Sequence, residues 1–157
     1  MNKKNVYKLA IGLFAVAIVF ILLKFKNSEL EPASYQLKER KGALAETAEY
    51  IKTRAIAANL KMSIQENPED IKSMLALGGL YIQEARITGN HLYYDMAAMQ
   101  QVNNTLNKDA NNFEALTYKA LIYLSQHHFA DGLAIAEKAK NINPYNAFIY
   151  GLLIDAN

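Results

Sequence analysis

The chain contains no cysteine, only three prolines among 157 residues, and no stretch in which β-branched and polar residues alternate. Without cysteine there are no disulfides, thiolate metal sites or cysteine nucleophiles, although the compartment stays open. Without alternating runs there is no half-buried strand, and seven glycines are too few to punctuate a sheet protein. An all-α chain of one domain's length remains. Clustered basic charge is also missing. Lys3, Lys4, Lys8, Lys24 and Lys26 account for the formal surplus of +2, and from Asn27 onward 12 basic residues face 15 acidic ones. A nucleic-acid partner needs a basic face and finds none.

Catalytic patterns are equally sparse. There is no glycine-rich phosphate loop, no pair of acids at useful spacing, and no set of acid, base and nucleophile. His127 and His128 are adjacent, so on a helix they point roughly 100° apart and share no metal. The chain reads as a non-enzyme without metal or cofactor, whose partners are proteins or peptides.

One long apolar run is present. Leu9 to Leu23 carries no charge over 15 residues, about 22 Å of helix against a hydrocarbon layer of about 30 Å. If Lys8 and Lys24 snorkel outward, residues 6–25 form a transmembrane helix within an anchor at 1–26. Lys24-Phe25-Lys26 follows the core directly, and no Ala-x-Ala lies nearby, which favours an uncleaved signal-anchor over a signal peptide. Lysines on both sides give almost no positive-inside bias. The very short N-terminal tail points to a single-pass protein whose body lies outside the cytoplasm, in the periplasm of a bacterial cell. Residues 27–36 carry Pro32 and read as a linker.

The body, 37–157, reads as a series of helices. Residues 37–66 form the first candidate, with Leu44, Ala48, Ile51, Ala55, Ala58 and Met62 recurring at spacings of four and three. That stripe is nearly that of a coiled coil, but it is rich in alanine and about three heptads long, so packing against the next helix is expected. Asn67-Pro68 ends this helix and starts the next. Met74, Leu77, Gly78, Tyr81 and Ala85 then run down one face, Gly89 suits a helix C-terminus, and a second helix follows through Ala98, Val102 and Leu106. Gly78 and Gly79 should each cost roughly 1 kcal/mol within a helix, which points to close approach of a neighbour.

Ala110 and Pro144 stand 34 residues apart and bracket two further helices, with Leu116, Ala120 and Tyr123 on the first and Phe129, Leu133, Ala136 and Ala139 on the second. A helix-turn-helix of that period resembles a tetratricopeptide repeat, in a bacterial membrane-anchored or exported subgroup. Leu116, Ala120, Tyr123, Phe129, Ala139 and Pro144 stand at the family's positions, while Lys119, Gly132 and Ala136 depart from them. On this alignment the repeats are about 71–112, 113–146 and a partial 147–157. The first is eight residues longer, about one extra turn per helix, so its hairpin should project residues 87–94 past its neighbour.

The resemblance implies an α-solenoid whose concave face takes extended segments of partner proteins. Carried over by position, that face presents Lys72, Leu75, Gly79, Ile82 and Gln83, then Glu114, Thr117, Leu121 and Leu124. The family members that clamp a C-terminal carboxylate use lysine and asparagine where this chain has Leu75 and Gly79, so that activity is not expected. His91 and Tyr94 in the projecting hairpin add candidate contacts. Tyr150 and Leu153 add others in a final helix that is apolar nearly all round, where a second copy or another subunit could dock.

Overall fold

A computed structural model describes Tyr7, residues 12–20 and residues 35–157. The chain divides into two units, Met1–Tyr35 and Gln36–Asn157. In the first, residues 12–20 are helical and expose Leu13, Phe14, Val16 and Phe20. Apart from Tyr7, the rest of the expected transmembrane helix at 6–25, and residues 27–34 of the expected linker, lie outside the described residues. Among the described residues no helix is long and apolar enough to cross a membrane.

The second unit is all-helical among the described residues. Its α-helices are α1 (Ala48–Glu66), α2 (Ile71–Thr88), α3 (His91–Lys108), α4 (Phe113–Ser125), α5 (Phe129–Ile142) and α6 (Ala147–Ala156). Side-chain oxygens set most of the starts. Thr47, Asp70, Asn112 and Asn146 each accept a hydrogen bond from a first-turn amide that would otherwise lack a partner. Gly89 closes α2 at φ 71°, a conformation that other L-residues adopt at a cost.

Consecutive helices pack on one another, most extensively α2 on α3 and α4 on α5. In addition α2 touches α4, and α4 touches α6. The helices of the α2–α3 pair have 18 residues each, against 13 and 14 in the α4–α5 pair. Two chemistries fill the interior. Around α2 and α3 the largest buried side chains are tyrosines, with Tyr81 stacked on Tyr94 at 6.0 Å. Around α4 to α6 the core is Leu116, Ala120, Ala136, Ala139, Ile149 and Leu152.

The expected helix at 37–66 begins eleven residues late, at Ala48. Gln36 to Arg40 runs without helix and is followed by Gly42 at φ 65°. Tyrosine hydroxyls replace the missing helical ladder. Tyr93 accepts from the Gln36 amide at 3.0 Å and donates to its carbonyl at 2.8 Å. Tyr94 accepts from the Lys38 amide at 3.0 Å, while Tyr50 donates to the Lys38 carbonyl at 2.9 Å and accepts from the Arg40 amide at 3.2 Å. The lengthened α2–α3 hairpin is therefore occupied at its turn end by the chain's own strap.

The apolar stripe of α1 also faces the other way from expectation. Ile51 is 63% exposed and Met62 55%, and Leu44, Ala48, Ala55 and Ala58 are exposed with them. The side that turns inward is Tyr50, Thr53, Ala57, Leu60 and Ile64. A buried tyrosine whose hydroxyl is bonded contributes more area than several alanines, so Tyr50 decides which face packs.

The glycines separate as well. A methyl at Gly78 would meet Gln101 at an ordinary 3.5 Å, whereas at Gly79 it would stand 2.9 Å from the Tyr118 hydroxyl, so the close approach belongs to Gly79. Gly151, inside α6, faces open space. Gly151→Ala should therefore raise stability by roughly 0.5–1 kcal/mol through helix propensity; a fall in the thermal midpoint would contradict this. Thr105 is fully buried with its hydroxyl oxygen unpaired among the described residues. Thr105→Val should be neutral or stabilising by up to about 1 kcal/mol, because it removes an unmet polar group at equal volume. Denaturant midpoints of the two proteins check it.

Candidate functional site

A cavity of about 230 Å³ opens between α2, α3, α4 and α6. Its apolar lining comes from Ile82 and Ala85 on α2 and from Leu121, Ile122 and Leu124 on α4. Heptad-like spacing brings Ile82 and Ala85 to one side of α2, and the extra turn of that helix lets Arg86 reach the rim. His91 and Asp95 enter from α3, Ser125 from the end of α4, and Asp155 from α6. One arginine, two aspartates and a histidine thus surround an apolar floor.

Asp95 is the polar pivot. It is 3% exposed and accepts a hydrogen bond from the Ser125 hydroxyl at 2.7 Å. The His91 Nδ1 stands 3.7 Å from the same carboxylate oxygen, too far for a hydrogen bond. The Ser125 hydroxyl also lies 2.8 Å from the Ile122 carbonyl of its own helix, so Ser125 sits between α4 and the Asp95 carboxylate of the preceding hairpin.

Beside the cavity, Tyr118 of α4 lies over Gly79 of α2 and donates its hydroxyl to Glu114 at 2.9 Å. Burial, and then the hydrogen bond to the Glu114 carboxylate, push the Tyr118 phenol up to about 12. It stays a neutral donor at any ordinary pH and fixes the distance between the two helices.

Of the residues expected at a partner surface, the cavity brings together Ile82, His91, Leu121 and Leu124. Lys72, Gln83 and Glu114 are exposed outside it. Leu75 is buried, and Thr117 is buried with its hydroxyl donating to the Phe113 carbonyl at 2.8 Å. Tyr94, at 1% exposure, is a core residue bonded to the strap and offers no surface to a partner. Tyr150 is exposed and donates to the Pro144 carbonyl at 2.8 Å, while Leu153 packs against the α4–α6 core. Arg86, Asp95, Ser125 and Asp155 were not expected. Asp95 and Ser125 are 30 positions apart, and nothing local in the sequence marks either.

The two adjacent histidines diverge. His127 holds φ 60° at the α4–α5 turn with its ring edge-on to Phe129, and His128 precedes α5 with Nδ1 3.5 Å from Asp131. No family model matches the chain, and no curated protein matches it.

Proposed function

We propose that this chain is a membrane-anchored scaffold of tetratricopeptide-like hairpins that holds extended segments of partner proteins in the groove where Ile82, Leu121 and Leu124 converge. That convergence carries the reading: residues from α2 and α4, in successive hairpins, line one open apolar cavity with a charged rim. Such a site suits side-chain recognition along a peptide, where apolar pockets supply affinity and rim charges supply register. The uncharged run from Leu9 to Leu23 with lysines on both sides supports anchoring, and the proposal puts the body in the periplasm.

The test uses peptides derived from proteins crosslinked to this chain in its native membrane. Leu121→Glu and Leu124→Glu should weaken their binding at least about tenfold, since each places a charge in an apolar contact. Unchanged binding of every crosslinked partner removes the groove reading. Protease added to spheroplasts should degrade the body, and a protected body would reverse the orientation.

A second reading, a structural subunit docked through its C-terminal helix, rests on α6. There Ile154 is 76% exposed, and Phe148 and Tyr150 are exposed with it. Slow exchange of α6 amides in a well-folded monomer would count against that reading.

A further inference from the structure

Asp95 stands in the groove with few donors for a buried carboxylate. Among the described residues it receives one hydrogen bond, from Ser125. That hydroxyl carries a single hydrogen and has two acceptors in reach, Asp95 Oδ2 at 2.7 Å and the Ile122 carbonyl at 2.8 Å, so the carboxylate shares its donor with the helix. His91 adds no bond, with Nδ1 3.7 Å from the same oxygen and a side chain 47% exposed. The other oxygen, Oδ1, accepts nothing among the described residues. It is not sealed off either, since the sealed polar atoms without a partner are Gln101 Oε1 and Thr105 Oγ1. Asp95 lines the cavity, and Oδ1 keeps its access there. A carboxylate has room for about four donors, and the wall supplies one shared hydroxyl.

The surroundings select which donor fits. The volume of about 230 Å³ falls below the ~300–1,000 Å³ of sites that enclose a whole small ligand, so the space suits one side chain. Asp155 of α6 brings a second carboxylate to the same cavity and forms no ion pair among the described residues. Arg86 opposes it, but Arg86 is exposed, where water and salt screen its charge. Asp95 acts from a buried position, where attraction is screened less. Its desolvation is already incurred in folding, so a cation that reaches it gains the attraction and loses only its own hydration. Resting on the reading of this cavity as a groove for extended segments, we propose that it selects a lysine or arginine of the bound segment. The ammonium or guanidinium meets Asp95, and the alkyl stem lies on Ile82, Leu121 and Leu124.

Two other kinds of side chain fit less well. An acidic one would be drawn to Arg86 and His91, but both are exposed, and within the cavity it would meet Asp95 and Asp155. A purely apolar one would cover the Asp95 carboxylate without bringing a donor, which leaves a buried charge still less satisfied. A lysine or arginine answers both demands of the site. Its methylenes cover apolar surface while its head supplies three or more donors at the far end.

The test uses the full chain in uncharged detergent micelles at neutral pH, with isotope-labelled isoleucine and leucine methyl groups. It is titrated with n-butylammonium, which reproduces the lysine side chain, and with n-butanol and butyrate. Methyl shifts of Ile82, Leu121 and Leu124 should saturate with n-butylammonium at an affinity at least about tenfold above that of n-butanol, and should not move with butyrate. Asp95→Asn keeps an acceptor for the Ser125 hydroxyl and should bring n-butylammonium to the level of n-butanol. Ser125→Ala removes the shared donor, leaves the carboxylate, and should keep the preference. A capped pentapeptide with lysine between alanine pairs should bind more tightly than n-butylammonium, and the same peptide with norleucine at least about tenfold more weakly than the lysine peptide. The parent's own discrimination among the ligands does not depend on any variant folding. The proposal is overturned if n-butylammonium moves none of these methyls, if n-butanol or butyrate binds as tightly, or if folded Asp95→Asn retains the preference. Equal binding of the two peptides also overturns it, while the groove reading stands. If n-butylammonium binds with the stated preference and neither peptide binds, the groove reading falls, and the pocket takes free amines in place of a protein side chain.

Discussion

Arg40→Met is expected to destabilise the helical body by about 3–5 kcal/mol, the largest effect of any single substitution considered. The Arg40 side chain is 2% exposed and forks between two carboxylates, with Nη2 2.5 Å from Glu84 and Nη1 2.6 Å from Glu49. Its Nε adds a second bond to Glu84 at 3.1 Å, and its guanidinium lies 4.7 Å from the centre of the Tyr50 ring. Those two carboxylates raise the Arg40 pKa, so the guanidinium stays charged at any ordinary pH.

The cost comes mainly from what is left behind. Glu84, toward the C-terminal end of α2, has a side chain 1% exposed, and without the guanidinium its charge is buried with no counter-ion. Glu49 is half exposed and returns to water, so Glu49→Gln should cost far less than Arg40→Met. Arg40→Met with Glu84→Met should recover most of the loss, because an apolar pair of similar volume replaces a buried ion pair at little cost. Urea unfolding of the full chain in uncharged micelles, followed at 222 nm, measures all three. Equal loss in the single and double variants would mean that the strap is held by its tyrosine bonds and not by the ion pair.

This ion pair also shows what the sequence does and does not disclose. The breaks between helices are local events. Pro68, Gly89-Asn90, Asn111-Asn112 and Pro144 act through their own φ angles and side-chain oxygens, and they can be read directly. The extra turn on α2 and α3 is a matter of counting. The strap is different, because Arg40 finds Glu84 44 positions away and Lys38 finds Tyr94 56 positions away. Before folding, Arg40 looks like one more surface charge in Lys38-Glu39-Arg40-Lys41. The face of α1 failed for a related reason. The regular spacing belongs to the alanine-rich stripe, whereas Tyr50, 2% exposed, fixes the helix against the body through hydroxyl bonds to Lys38 and Arg40 that local sequence does not mark. The site was legible in part: Ile82, Leu121 and Leu124 converge, whereas the Asp95–Ser125 contact that ties α3 to α4 depends on tertiary placement alone.

Leu116→Ala should cost roughly 2–5 kcal/mol, toward the upper end of that range. Leu116 is 2% exposed and sits in a core whose other members on α4 and α5 are Ala120, Ala136 and Ala139. A cavity closes only if neighbouring side chains can swing into it, and a methyl group has no rotamer to use. Leu124 already packs tightly on Gly132, where a methyl would stand 2.9 Å from it, so it is not free to fill the gap. The loss should also be uneven along the chain. α6 packs on α4 and α5 through Ile149 and Leu152, whereas α1 packs on α2 and keeps the strap and Tyr50. Hydrogen exchange of Leu116→Ala should therefore show α5 and α6 amides losing protection by a larger factor than those of α1 and α2. Equal loss in all six helices would show that the body opens as one cooperative unit, with the α2–α3 and α4–α5 hairpins coupled through the Tyr118–Gly79 and Asp95–Ser125 contacts strongly enough to override the difference between their cores.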